Sequence, residues 1–177
     1  GARVLAVAER PLPARSAVTV DDERDLTLLG LLAFEDPPKD GLAATLAELE
    51  ALGIRLCMLT GDNALVATHV ARSILAAEPT VVTGSEVDAL DDTALRALAP
   101  TVDAFAELTP TQKERIIKAV RAGGSVVGYL GDGINDAGPL HLADVGISVD
   151  TAVDVAKSAA AMVLLDKDVD VVVSGVR

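Results

Sequence analysis

Short apolar runs separated by amphipathic stretches place the strongest limit on how this chain folds. Runs at 26–34, 54–60, 80–83, 125–130, 145–149 and 162–165 have the length and composition of buried strands. Between them, 41–52, 63–76, 91–98, 111–122 and 151–159 read as helices, with Leu42, Leu46 and Leu49 on one stripe of the first. Gly53 stands where that helix would end. Thr109 and Pro110 form an N-cap and first-turn proline for the helix at 111, which Gly123 and Gly124 close. Such alternation predicts an α/β fold: a mostly parallel sheet with helices on both faces, and ligands beyond the carboxyl ends of its strands.

Residues 1–25 have a different texture. Pro11, Pro13 and the acidic group Asp21, Asp22 and Glu23 follow an apolar stretch at 4–8, the composition of a connecting segment, so a boundary is expected near Asp25. With 177 residues in all, the remainder at 26–177 suits one domain. Half the residues are hydrophobic, yet only two Phe and one Tyr occur, which predicts an aliphatic interior and no aromatic platform for bases. A formal charge of −12 opposes binding to nucleic acid or anionic lipid. Cys57, between Leu56 and Met58, reads as a small core residue, and a lone cysteine fits a cytoplasmic setting. No apolar run is long enough to cross a bilayer and no leader is evident, so this polypeptide is expected to be soluble.

Chemistry gathers where apolar runs end. The run at 54–59 leads into Thr60-Gly61-Asp62-Asn63, which offers a hydroxyl donor, a flexible backbone and the N–H groups of a starting helix to an anion. An ordinary strand-turn-helix with Asp62 as the cap explains the same residues equally well. The run at 126–130 leads into Gly131-Asp132-Gly133-Ile134-Asn135-Asp136, where two carboxylates four residues apart can converge as hard oxygen ligands for Mg²⁺. An acidic surface turn is the plainer alternative. Lys113, one turn into a helix, can act as a point charge on phosphate oxygens, although an isolated lysine beside Glu114 and Arg115 is more often a solvated one. His69 and His141 lack partners at metal spacing. Neither a Walker A loop nor a dinucleotide glycine fingerprint occurs.

Taken in order, these segments resemble the motifs of the haloacid dehalogenase superfamily, and more narrowly of P-type cation-transporting ATPases. Asp36-Pro37-Pro38-Lys39, Thr60-Gly61-Asp62-Asn63, Leu108-Thr109-Pro110-Thr111-Gln112-Lys113 and Gly131-Asp132-Gly133-Ile134-Asn135-Asp136 carry the resemblance. Residues 82–98, the Leu-Thr-Pro form before Lys113 and residues 146–154 look most like magnesium-transporting members. The resemblance implies a three-layer Rossmann-like phosphorylation domain at 26–177, preceded by the tail of a nucleotide-binding domain. It implies that Asp132 and Asp136 hold Mg²⁺, that Thr60 and Lys113 contact the transferred phosphoryl group, that Asn135 donates to it, and that Gly61 and Asp62 line the nucleotide side. The implied parent is a pump at the cytoplasmic face of the membrane. ATP would phosphorylate its aspartate, and its membrane, actuator and nucleotide-binding domains would be partners within one chain.

Three departures stand out. Ala137-Gly138-Pro139-Leu140 replaces the usual Ala-Pro-Ala-Leu, Glu107 stands where a basic residue often precedes Leu-Thr-Pro, and no Asp-Lys-Thr-Gly occurs. In the family that motif's aspartate is the phosphoryl acceptor and ends the central strand. The chain is therefore expected to lack that strand and to be inactive alone. A noncatalytic phosphate or Mg²⁺ binding module and a soluble phosphatase of the same superfamily are the competing readings.

Overall fold

In the computed structural model, residues 3–13, 17–34, 41–75, 77–165 and 170–176 are described. The Asp36-Pro37-Pro38-Lys39 segment lies outside them. The chain divides into two compact units, Gly1–Pro37 and Pro38–Arg177.

The first unit is built on a two-stranded antiparallel ribbon, β1 (Arg3–Glu9) with β2 (Thr27–Phe34), whose register shifts between Val7 and Ala8. The stretch at 4–8, read from sequence only as an apolar segment, is thus a paired strand. The boundary expected near Asp25 falls inside this unit, between its strands. Residues 17–26 lead into the second strand: a short 3-10 turn at Val20–Asp22 is capped where Thr19 N donates to Asp22 Oδ2 at 2.9 Å, and Arg10 reaches Asp22 Oδ1 at 3.7 Å.

The second unit carries the alternation. Helix α1 (Leu42–Ala51) ends at Gly53, whose φ of 79° is the left-handed turn that glycine tolerates best. Then follow β3 (Met58–Leu59), α2 (Ala64–Ile74), β4 (Val81–Thr83), α3 (Gly84–Ala89), α4 (Asp92–Leu98) and β5 (Ala104–Ala106). The chain continues through α5 (Pro110–Ala122), β6 (Gly128–Leu130), α6 (Ala137–Leu142), β7 (Val145–Val149), α7 (Asp154–Ala159), β8 (Met162–Leu164) and α8 (Asp170–Val176). The strands form two parallel sheets, ordered β3-β5-β4 and β6-β7-β8, with helices packed against them, the parallel α/β layering expected.

Helix α5 serves both sheets. Its Ile116 enters a cluster with Val82, Leu95 and Phe105, while the next residue, Ile117, enters a second cluster with Tyr129, Leu140 and Ala156. Leu59 of β3 packs against both clusters. The half-buried Cys57 borders the first of them, and burial pushes its thiol up to about 11, as befits a core residue.

Candidate functional site

Three strand ends and the start of α5 build the site. After β3, the Thr60 N–H bonds to Phe105 O at 2.9 Å, which carries the chain one residue past the strand. The Thr60 hydroxyl then donates to Asp62 Oδ2 at 2.9 Å and accepts from Asp62 N at 3.0 Å. Asn63, in place of Asp62, caps α2 by accepting from Val66 N at 3.0 Å. The expectation that the helix start offers N–H groups to an anion is corrected in part: the N–H groups of Asp62, Ala64 and Val66 have side-chain acceptors already.

Past β5, Leu108 N donates to Thr60 O at 3.0 Å, so the corner leading into α5 is fastened to the Thr60 turn. The start of α5 has Thr109 as the expected N-cap and Pro110 in its first turn, and adds a capping box: Thr109 N donates to Gln112 Oε1 at 2.8 Å and Gln112 N to Thr109 Oγ1 at 3.3 Å. One turn in, Lys113 is buried, against the solvated alternative.

The ammonium of Lys113 meets Asp136 Oδ1 at 2.8 Å. Tyr129 Oη donates to the same oxygen at 2.7 Å, and Gly133 N to Oδ2 at 3.1 Å. Burial works against charge on Asp136, but the bonds from Lys113 and Tyr129, the Lys113 charge and the Gly133 N–H outweigh it and hold the carboxyl below the usual range. Burial first, and then the neighbouring Asp136 carboxylate, push the Tyr129 hydroxyl far up, so it is a fixed donor. Gly131 makes the arrangement possible, because a Cβ there would lie 2.6 Å from Asp136 Cβ. The fully buried Ser148 donates to Gly131 O at 2.9 Å and steadies the turn from β7.

Asp132 and Asn135 are exposed on this turn, and the Asp132 carbonyl accepts from Val153 N at 3.2 Å. The structure therefore brings Lys113 and Asp136 together, fastens the Thr60 turn to the start of the Lys113 helix, and leaves Asp132 and Asn135 exposed. Among the described residues, no three acidic, histidine or cysteine side chains gather as a ready-made metal cage. The oxygen set still suits a sparse Mg²⁺ site in which exposed Asp132 is one ligand and water and phosphate supply others. Tyr129 and Ser148 were missed in the sequence because each sits inside an apolar run and reads as core.

A protein-family model for haloacid dehalogenase-like hydrolases matches residues 5–144. The chain belongs to that family. Its members' parallel α/β layering is what the second unit displays. Among curated relatives, it is 49% identical over 177 residues to the magnesium-transporting ATPase, P-type 1, of Salmonella typhimurium and 48% identical to that of Escherichia coli, covering 99% of this chain in each case. A calcium-transporting ATPase of Listeria monocytogenes is 37% identical over 93% of the chain. The chain spans only 20%, 20% and 19% of those relatives' lengths. The fold matches a solved catalytic domain of the CPx-ATPase CopB-B with a TM-score of 0.60 and 22% identity, over 85% of this chain and 49% of that one. No helix among the described residues is long and apolar enough to cross a membrane.

Proposed function

We propose that this hydrolase-family chain is the phosphorylation-domain segment of an ATP-driven cation pump, with Mg²⁺ as the transported ion. The observation that carries the reading is the ion pair between buried Lys113, on a helix whose entry is tied to the Thr60 turn, and Asp136, on the turn after β6. The similarity to magnesium-transporting relatives over nearly the whole chain favours that ion. In the same reading, residues 26–177 belong to the phosphorylation domain, and residues 1–25 are the tail of a nucleotide-binding domain and its connector. The parent would be an integral membrane protein with this part at its cytoplasmic face.

Transfer from ATP to an aspartate splits hydrolysis into two easier steps. A phosphoryl group in transfer spreads charge over its equatorial oxygens, so fixed cations and donors matter more than proton transfer. Lys113, buried and oriented by Asp136, supplies one positive charge, and Thr60 and Asn135 supply donors beside it. Thr60 must release its bond to Asp62 to do so. Asp132 and Asp136 would hold Mg²⁺, which contributes charge neutralisation and alignment when bound. Gly61 and Asp62 would border the nucleotide.

The acceptor carboxylate is assigned to a part of the parent outside this sequence, which contains no Asp-Lys-Thr-Gly. Positioning of a specific nucleophile in line with phosphorus supplies most of the rate, so the remaining charges have nothing to assist. Incubation with γ-labelled ATP and Mg²⁺ should leave this chain unlabelled, while a longer chain that restores the acceptor strand becomes stoichiometrically labelled in an acid-stable form. Label on the short chain, or none on the long one, would overturn the reading; the latter result favours a noncatalytic phosphate-binding module.

A further inference from the structure

Glu107 is one of two non-glycine residues among those described that hold a positive φ, at 57°. That conformation costs energy in an acidic residue with a full side chain and is retained where its surroundings demand it. The surroundings here are two motif-bearing turns. Glu107 N donates to Asp62 O at 2.8 Å, and Glu107 Oε1 accepts from Ala64 N at 3.2 Å. The same residue thus grips the Thr60–Asn63 turn through both backbone and side chain. Immediately after it, Leu108 N takes Thr60 O, and α5 with Lys113 begins two residues later.

The other side of the corner is closed as well. A Cβ on Gly84 would lie 2.6 Å from Glu107 O, so the start of α3 abuts this carbonyl, and Gln112 Nε2 donates to Gly84 O at 3.0 Å. Three strand ends therefore meet at one residue, through its backbone N–H and carbonyl, and its carboxylate lies on the first N–H of α2. A surface carboxylate with no positioning task has no reason to accept a left-handed backbone to reach that N–H.

We propose that Glu107 is a positioning residue: its carboxylate clips the start of α2 to the β5–α5 corner and so fixes the Thr60 turn relative to Lys113. The inference rests on the reading of Thr60 and Lys113 as phosphoryl contacts, and it deepens that reading by naming what holds them in register.

Three variants separate the carboxylate from the backbone. Glu107→Ala removes the acceptor and keeps the unfavourable φ; Glu107→Gly removes both; Glu107→Gln keeps an acceptor oxygen at the same reach. Amide exchange in the whole chain is the first readout. Exchange at Ala64 and Leu108 should rise about tenfold in Glu107→Ala and Glu107→Gly and return close to wild type in Glu107→Gln, while the amide of Phe105 in the core stays protected in all. The second readout is inorganic phosphate titrated with Mg²⁺, followed at Thr60 to Asn63 and Lys113, with affinity expected to fall roughly fivefold in Glu107→Ala and to recover in Glu107→Gln. Unchanged exchange at Leu108 in Glu107→Ala, or wild-type behaviour of Glu107→Gly, would show that the backbone alone holds the corner and would overturn the proposal. A wild-type chain whose site amides ignore phosphate counts against the phosphoryl-site reading instead, and the exchange comparison then decides the role of Glu107 by itself.

Discussion

Lys113 and Asp136 form a partner-dependent pair in which each charge is tolerable because the other is present. Removing the lysine alone strands a part-buried carboxylate with its remaining donors Tyr129 and Gly133, so Lys113→Ala should cost about 2 kcal/mol of unfolding free energy in a urea melt. The pH dependence follows from the depressed Asp136 carboxyl. A group whose folded pKa is lowered adds stability above its unfolded value, about 3.9 for aspartate, and that stability is lost as pH falls through the folded value below it. The stability gap between wild type and Asp136→Asn should accordingly be flat from neutral pH to about 5 and shrink below about 4; a gap unchanged down to pH 3 contradicts the assignment. Glycines give a sharper contrast. A Cβ on Gly146 would lie 2.3 Å from the Leu140 carbonyl, backbone that cannot swing aside, whereas one on Gly138 meets the far end of Glu114 at 2.2 Å. Gly146→Ala should lower stability by about 2 kcal/mol or more and Gly138→Ala by well under 1 kcal/mol, because only the second obstacle can rotate away; equal melting shifts would refute this. Gly138 was legible as a departure from its family's pattern, but the reason it matters little, a flexible neighbour from α5, appears only in three dimensions.

Among secondary-structure elements, the longer helices were read from their patterns and caps, whereas the short helices α3, α6 and α8 were not. Thr109 and Pro110 announced α5, and Gly53 the end of α1, because caps are local chemistry written in adjacent residues. Strand β5 was missed altogether, since Ala104-Phe105-Ala106 is fully buried, shows no alternation, and has alanine at two of its three positions. Its burial comes from lying between β3 and β4, a fact of topology and not of spacing. The runs at 54–60 and 125–130 shrank to Met58–Leu59 and Gly128–Leu130 for a related reason: each strand pairs on one side only among the described residues. Met58 N and Thr60 N both point to the β5 side, so the Leu59 N–H points to the unpaired edge; Gly131 N points to β7, so the Leu130 N–H does likewise on its strand. If one parallel strand of the parent enters between these edges, the Leu59 and Leu130 amides should gain at least about tenfold protection from exchange in the longer chain, with little change in β8. Protection that appears at β8 and leaves Leu59 and Leu130 exposed would place the added strand elsewhere.

At the scale of the molecule, the two units differ in what holds each together. The second unit has two aliphatic clusters joined through α5 and Leu59, with Phe105, Leu95 and Val87 entirely buried. The ribbon unit has no such interior: Leu28, Leu31 and Phe34 are 61%, 65% and 53% exposed, and Asp22 is the single buried residue among those described in it. A two-stranded ribbon with both faces wet is marginal in water, because the entropy of ordering its backbone is not offset by apolar burial. Hydrogen bonding across the β1–β2 register fixes its shape without supplying much net stability. The expectation is unequal stability within one chain. In native-state exchange on the full chain, amides of Leu5 and Leu32 should exchange on the order of 100-fold faster than those of Phe105 and Ile117, and mild urea should widen the gap by opening the ribbon first. Loss of the ribbon signals should precede any loss of the Lys113–Asp136 environment. A single transition, in which ribbon and core amides converge on the same opening free energy at every urea concentration, would mean that the two units unfold as one and that the ribbon draws its stability from contacts as firm as those around α5.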